Sequence, residues 1–315
     1  MTKVLAATLK NIAAAAEAIK AGKLIIMPTE TVYGLAADAT NSQAVSKIFT
    51  AKDRPADNPL IVHIANMDQL SLITRDVSEA AILLAERFWP GPLTLVLPKN
   101  DSVPSVVTGG LDTVAVRMPA HPVALSLIRR AGVPIAAPSA NRFMKLSPTR
   151  AEHVDSVLAR RVEMVLDGGP SKIGVESTVI DCTGDTPQIL RPGGVSRGEI
   201  EACLGAPLGT NPPDALRKSP GMYARHYAPK ATVKIVEKLA DRQPGLTFSA
   251  PENDRQIRMP KSASAYSAVL YDNLHRLDRM KVSTIYVQEP PEGPEWEAIR
   301  DRLAKASAIQ KTEES

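Results

Sequence analysis

The segment 52-KDRPADNPLIVH-63 sets Lys52, Arg54, Asn58 and His63 where a helix is ending and prolines fix the backbone. An ammonium point charge beside a planar guanidinium suits a polyphosphate, because the two grip different oxygens. Asn58 adds an amide to the same turn. Taken alone, the segment also fits a solvated helix end with cations near the negative end of the dipole. His63 alternates with Val62 and Ile64, so it faces away from them across a strand, as a satisfied structural histidine also would. In 113-TVAVR-117, Thr113 opens an apolar strand and Arg117 interrupts it. A buried arginine needs an anionic partner, and a substrate carboxylate would serve. The segment 28-PTETVYG-34 leaves a strand through Thr31 and Tyr33, which line a pocket or cap a turn. In 138-PSANRFMKLSPT-149, Ser139 and Asn141 follow a buried strand, so hydroxyl and amide point out of the sheet's end. The segments 176-ESTVID-181 and 190-LRPGG-194 put Ser177 and Arg191 at strand ends. Each motif is weak alone; together, on short strands of one domain, they describe an anion-binding pocket. Walker A, GxGxxG, HExxH and GxSxG patterns are absent, so the sequence advertises neither a nucleophile-plus-base enzyme nor a metal site.

The elements that must position these residues follow from periodicity. Residues 10–21 read as a helix closed by Gly22, and 24–28 as a buried strand, with Gly34 marking a turn beyond it. Residues 42–51 suit a helix with Ser42 as N-cap. Strands are expected at 60–64, 93–98, 113–119, within 133–141, and at 163–169, 177–181 and 188–193. Helices are expected at 78–88, 122–132 and 196–204. Strands and helices mix without strict alternation, which predicts an α/β domain with a mixed sheet. A proline-rich stretch follows. Beyond it, strands at 231–239 and 283–288 and helices at 264–279 and 295–306 predict a second, small α/β domain. Residues 241–262 are poorly patterned.

The chain's 315 residues make two domains the default. The reading is a first domain over 1–207, a linker over 208–229, a small domain over 230–308 and a tail over 309–315. Apolar residues make up 44% and aromatics 4%, so the core is built mainly of Ala, Val, Leu and Ile. Residues 1–207 carry 21 Lys and Arg against 20 Asp and Glu, and the linker segment 208–228 carries 3 against 1. Anion binding therefore belongs to local clusters, not to a wholly basic surface. Two cysteines without a CxxC fit a reducing compartment. Lys10, Asn11, Glu17 and Lys20 interrupt the apolar N-terminal run, so it reads as an amphipathic helix and not a secretory leader. No run approaches the roughly 20 apolar residues of a membrane span. No membrane association is expected, and the cytoplasm is the expected location.

The combination of 28-PTETVYGLAADA-39, 52-KDRPADNPL-60, 138-PSAN-141, 177-STVID-181 and 190-LRPGG-194 resembles the threonylcarbamoyl-AMP synthase (YrdC-like) family. The stretch 219-SPG-221 followed by 226-HYAP-229 resembles the linker of its long, two-domain form. The resemblance implies a twisted mixed sheet with a concave basic face, followed by a small Rossmann-like α/β domain. It implies condensation of L-threonine, bicarbonate and ATP into threonylcarbamoyl-AMP, with Mg²⁺ arriving on ATP. A transferase partner would then modify certain tRNAs, with weak tRNA binding by this chain. By the same resemblance, Thr31, His63, Arg117, Ala137 and Ser177 form the threonine pocket. Arg54, Asn58, Thr113, Ser139, Ser147, Arg191 and Tyr227 form the ATP site. Lys52 with Arg54, and Ser139 with Asn141, are its signature catalytic pairs. Pro220, Gly221 and Pro229 would set the path of a lid, with Arg225, His226 and Tyr227 as its contacts. The family usually continues the Ser-Ala-Asn motif with serine and glycine. Here Phe143 and Met144 stand at those positions, so a differently shaped loop is expected. A non-catalytic RNA-binding module of the same fold is the alternative from another class. It would show a steep salt dependence of RNA affinity, but stacked-aromatic RNA motifs are absent.

Overall fold

The computed structural model describes residues 3–209 and 227–308. Among these, ten strands form one sheet and four form another. The first ten are β1 (Lys3–Ala6), β2 (Ile25–Met27), β3 (Gly34–Asp38), β4 (Ile61–His63), β5 (Leu93–Pro98), β6 (Thr113–Arg117), β7 (Ile135–Ala136), β8 (Met164–Asp167), β9 (Thr178–Asp181) and β10 (Gln188–Arg191). Their order is β1-β8-β2-β3-β7-β4-β6-β5-β9-β10. Parallel pairs (β1 with β8, β4 with β6, β5 with β9) occur beside antiparallel ones (β2 with β3, β5 with β6, β9 with β10). The sheet is mixed, as the irregular alternation of elements predicts.

Period-two alternation sorts the strand residues into faces. Ile26, Leu35, Ala37, Val62, Leu95, Val114 and Val116 belong to the largest core cluster, packed with the Ser42–Lys52 and Glu79–Phe88 helices. Ile25, Met27 and Ala36 join Ile12, Ala15, Ala16 and Ile19 of the Leu9–Lys20 helix and Leu127 and Ile128 of the Pro122–Ala131 helix. Fully burying one such Leu or Ile contributes about 1.5–3 kcal/mol. The alanines at 15, 16 and 18 let the Leu9–Lys20 helix lie close to its neighbours. On the central strands a small cluster remains on the face away from the largest core: Ile61, Val96, Ala115 and Val179. Residues two apart share a face, so this same face carries His63, Thr113, Arg117 and Ser177.

Local signals differ from expectation in a few places. The N-cap of the Ser42–Lys52 helix is Asn41, not Ser42: the Asn41 side chain accepts from the amides of Gln43 and Ala44. Those are the donors two and three residues on that an N-cap side chain serves, so Ser42 is already the first helical residue. Gly34 opens β3 and pairs with Met27 and is not a turn residue. The 133–141 segment contributes only the two residues of β7, because it leaves the sheet at Ala137 to build the cavity described below. The Lys3–Ala6 strand has no sequence signal strong enough to predict it.

The second sheet has β11 (Thr232–Val236), β12 (Gly245–Thr247), β13 (Gln256–Arg258) and β14 (Thr284–Gln288), in the order β11-β14-β12-β13, all parallel. The poorly patterned 241–262 segment therefore holds two three-residue strands. The Ala263–Arg279 and Glu297–Ser307 helices supply Tyr266, Leu270, Leu274, Ile299 and Leu303 to its core. That core also takes in Val32, Leu146 and Val175 from the ten-stranded part and Tyr227 from the end of the 208–229 segment. Loops of the first domain thus pack into the core of the second. No helix among the described residues is long and apolar enough to cross a membrane, and both cysteines are free thiols.

Candidate functional site

Nine of the residues singled out from the sequence line one cavity: Thr31, Arg54, His63, Arg117, Ala137, Ser139, Ser177, Arg191 and Tyr227. Thr29, Val32, Gly34, Ile61, Pro138 and Glu176 complete its wall. The lining comes from six separated stretches of chain and from the end of the linker. It gathers on the sheet face that carries His63, Arg117 and Ser177.

Arg117 is buried and held on three sides. Its Nη2 donates to Glu30 Oε1 at 2.5 Å, its Nη1 to Thr31 Oγ1 at 2.8 Å, and its Nε to the Gly91 carbonyl at 3.0 Å. The anionic partner is thus a carboxylate of the chain itself. Burial works to raise the Glu30 carboxyl, but Arg117 and hydrogen bonds outweigh it and hold Glu30 below its ordinary value. Thr29 Oγ1 donates to the Val32 carbonyl and accepts from the amides of Thr31 and Val32, which fixes this turn. Burial, then the Arg117 guanidinium, push the His63 ring down to about 3. His63 is therefore a neutral imidazole, and its buried Nδ1 has no hydrogen-bond partner among the described residues. Tyr33 leaves this group: its hydroxyl donates to the Gly169 carbonyl at 2.7 Å, inside the core.

Lys52 does not line the cavity. Its ammonium is buried and donates to the backbone carbonyls of Ser139 and Asn141. Burial, then Arg54, push it well below the ordinary lysine range. It props the 139–141 turn that presents Ser139. Arg54 reaches the cavity with its Nη2 donating to the Asn58 and Pro59 carbonyls. Asn141 donates to the Arg142 and Lys145 carbonyls, so it shapes the loop that follows it. That loop carries Met144 at φ 64°, in the left-handed region that glycine enters freely. The Met144 carbonyl accepts from the Ala228 amide at 3.0 Å, beside Tyr227. The Phe143–Met144 departure is thus accommodated as local backbone strain.

Ser177 shares a 2.7 Å hydrogen bond with Thr94. Arg191 donates to the Ser177 carbonyl at 2.9 Å and to its hydroxyl at 3.2 Å. The close approach depends on Gly193: a Cβ there would sit 2.3 Å from the Ser177 carbonyl carbon. Ser147 lies behind the wall, donating to Glu176 Oε1 at 2.6 Å. Glu176 also accepts from Tyr271 Oη at 3.1 Å and from Arg302 Nε at 2.7 Å, both on the second domain. Burial raises its carboxyl, but Arg302 and Arg191 overcome this and bring it to about 2. Tyr227 is buried with its ring 4.9 Å from the Arg302 guanidinium carbon. Burial, then Glu176, push its phenol up to about 12.

Lys52, Asn58, Thr113, Asn141 and Ser147 thus stand outside the lining. Asn58 Nδ2, Thr113 Oγ1 and Asn141 Oδ1 are buried without a hydrogen-bond partner among the described residues, a state that usually marks a place completed by ligand or water. Pro220, Gly221, Arg225 and His226 lie outside the described residues. Sequence reasoning missed Glu30, Glu176, Tyr271 and Arg302. Glu30 and Glu176 sit inside motifs that were singled out and could have been found as the counter-charges those arginines require. Tyr271 and Arg302 carry no such signal. Among the described residues no group of three or more His, Cys, Asp or Glu could hold a metal.

A family model described as "Telomere recombination" matches residues 17–193, and one described as "Threonylcarbamoyl-AMP synthase, C-terminal domain" matches residues 195–308. The threonylcarbamoyl-AMP synthase of Pyrococcus abyssi is 46% identical over 318 residues, covering 93% of each chain. That of Bacillus subtilis is 44% identical over 321 residues, covering 94% of this chain and 93% of its own. The solved structure of P. abyssi Sua5 complexed with L-threonine superposes with a TM-score of 0.88 at 44% identity, over 95% of this chain and 94% of that one. With both family models and full-length relatives in agreement, the chain belongs to the threonylcarbamoyl-AMP synthase family.

Proposed function

We propose that this chain condenses L-threonine, bicarbonate and ATP into threonylcarbamoyl-AMP and pyrophosphate. The observation that carries the reading is the convergence of both halves of the predicted site on one cavity. Thr31, His63, Arg117, Ala137 and Ser177 stand beside Arg54, Ser139, Arg191 and Tyr227.

The threonine amine adds to bicarbonate and water leaves, giving a carbamate. A carbamate oxygen then attacks the α-phosphorus of ATP, and the bond to the β-phosphate oxygen breaks, releasing pyrophosphate. Two anions must meet, so the cavity needs cations aimed at the phosphates; Arg54 and Arg191 supply them. The neutral His63 and the Arg117–Thr31 pair receive the amino acid. No protein nucleophile is needed, and orientation can supply on the order of 7–11 kcal/mol of the barrier. Mg²⁺ comes with ATP as part of the substrate and neutralises phosphate charge. Glu30 and Glu176 are each engaged by an arginine, so neither carboxylate would serve as a dedicated ligand of the ion. The product passes to a transferase that modifies tRNA, with this chain contacting tRNA weakly.

The test is pyrophosphate release from MgATP by the purified protein, with and without L-threonine and bicarbonate. Release that requires both, and that serine supports poorly, is expected. No release in any combination, with RNA affinity falling steeply with salt, would favour the RNA-binding module instead.

A further inference from the structure

We propose that Arg302, carried by the second domain, is a positioning residue for the nucleotide half of the site. The inference rests on the synthase reading above. Arg302 is fully buried on the Glu297–Ser307 helix. Its Nε donates to Glu176 Oε2 at 2.7 Å, its Nη2 to the Pro192 carbonyl at 2.9 Å, and its Nη1 to its neighbour Asp301 at 2.5 Å. Its guanidinium carbon stands 4.9 Å from the centre of the Tyr227 ring.

Two of these contacts end on, or next to, a residue assigned to ATP, Tyr227 itself and Pro192 beside Arg191; the third, Glu176, precedes Ser177 of the threonine pocket in the chain but binds Ser147 of the ATP site. Glu176 accepts the Ser147 hydroxyl, so Arg302 orients Ser147 through a single carboxylate. Pro192 follows Arg191, whose side chain points into the cavity. Tyr227 lines the cavity directly. Tyr271 adds a second hydrogen bond from the same domain to Glu176. The threonine half is held by a different carboxylate, Glu30, which binds Arg117 and has no contact with Arg302 among its hydrogen bonds. Arg117 and Thr31 of the threonine half therefore have an anchor of their own, and no hydrogen bond of Arg302 ends on either of them. Burying a guanidinium merely to join two domains is a poor use of it, since an apolar replacement often does as well. A planar fork that fixes three elements at once is what guanidinium chemistry offers and a hydrophobic contact does not.

The test compares Arg302→Lys, Arg302→Met, Tyr271→Phe and the double variant Glu176→Gln/Arg302→Met in the full-length protein. Pyrophosphate release is measured against ATP at saturating threonine and against threonine at saturating ATP, with thermal unfolding of each variant. The double variant removes both charges, so it leaves no lone buried ion and keeps the test open if Arg302→Met alone fails to fold. The expected result is a rise in the KM for ATP of about tenfold in the Arg302→Met and double variants and about threefold in Tyr271→Phe, with the KM for threonine within about twofold. Arg302→Lys recovers part of the loss. A folded double variant with wild-type KM for ATP overturns the proposal. So does an equal rise in both KM values, or a fall in kcat alone, which reports a smaller active fraction. A wild-type protein that releases no pyrophosphate with threonine and bicarbonate fails at the reaction itself, which separates that failure from this one.

Discussion

Lys52 donates a hydrogen bond to the backbone carbonyl of Ser139 at 2.5 Å. The residue that reads as a phosphate-binding cation is a strut under the turn that carries Ser139 and Asn141. Replacing it with methionine keeps the apolar stem and leaves two buried carbonyls unpaired. Lys52→Met is expected to lose about 2–4 kcal/mol of stability, read from urea unfolding, together with activity. An inactive variant with an unchanged unfolding midpoint would return Lys52 to direct substrate contact.

The buried Glu30–Arg117 pair predicts strong non-additivity. Removing either partner leaves the other as an uncompensated buried charge, at a cost of about 3–5 kcal/mol. Glu30→Gln/Arg117→Met is expected to be more stable than the sum of the single changes implies, by at least about 1 kcal/mol in a double-mutant cycle. Additive single changes would mean that the pair is solvated in solution.

Met144 holds a left-handed backbone that costs an L-residue about 1–2 kcal/mol, while glycine costs about 0.5–1 kcal/mol more in chain entropy. Met144→Gly is therefore expected to be neutral or stabilising by up to about 1 kcal/mol, seen as a raised unfolding midpoint. A clear loss of stability would show that the Met144 side chain contributes packing worth more than its strain.

Stability should fall on the acid side. Burial lowers His63 and His153 from 6.5 to about 3, and His153 stacks on His275, itself lowered, at 4.1 Å across the domain contact. A depressed folded pKa means that the unfolded chain binds the proton first. The stabilisation is complete above about 6.5 and drains away as pH falls toward 3. Urea midpoints should decline between pH 6.5 and 4.5, before the carboxylates Glu30 and Glu176 begin to contribute. His153→Asn should flatten that slope. A slope unaltered in the variant would assign the effect to other groups.

The strands around the cavity were legible because they alternate. Val62 and Ile64 in the core put His63 on the opposite face, and Arg117 stood out as the charge that interrupts an apolar strand. Helix starts with short polar side chains were legible to within a residue, as Asn41 shows. The direction of Lys52 was not, because sequence states a charge without saying which way a last-turn side chain turns. The strands at 245–247 and 256–258 are three residues each, too short for any period to emerge. Arg302 lies in a helix whose charges read as a solvated face, and its carboxylate partner is 126 residues away. Local pattern carries no information about such a pair.

The Arg302–Glu176 contact bears on how this chain could be divided. The proline-rich stretch after Leu204 looks like the natural place to cut. A chain ending there would keep every strand of the larger sheet and most of the cavity wall. It would also carry an ionised glutamate stripped of its guanidinium, a serine with an unsteady acceptor, and Val32, Leu146 and Val175 turned out to water. The most divisible-looking point in the sequence is a seam in the covalent chain only, and a gene trimmed at that seam would encode a protein missing part of its own interior.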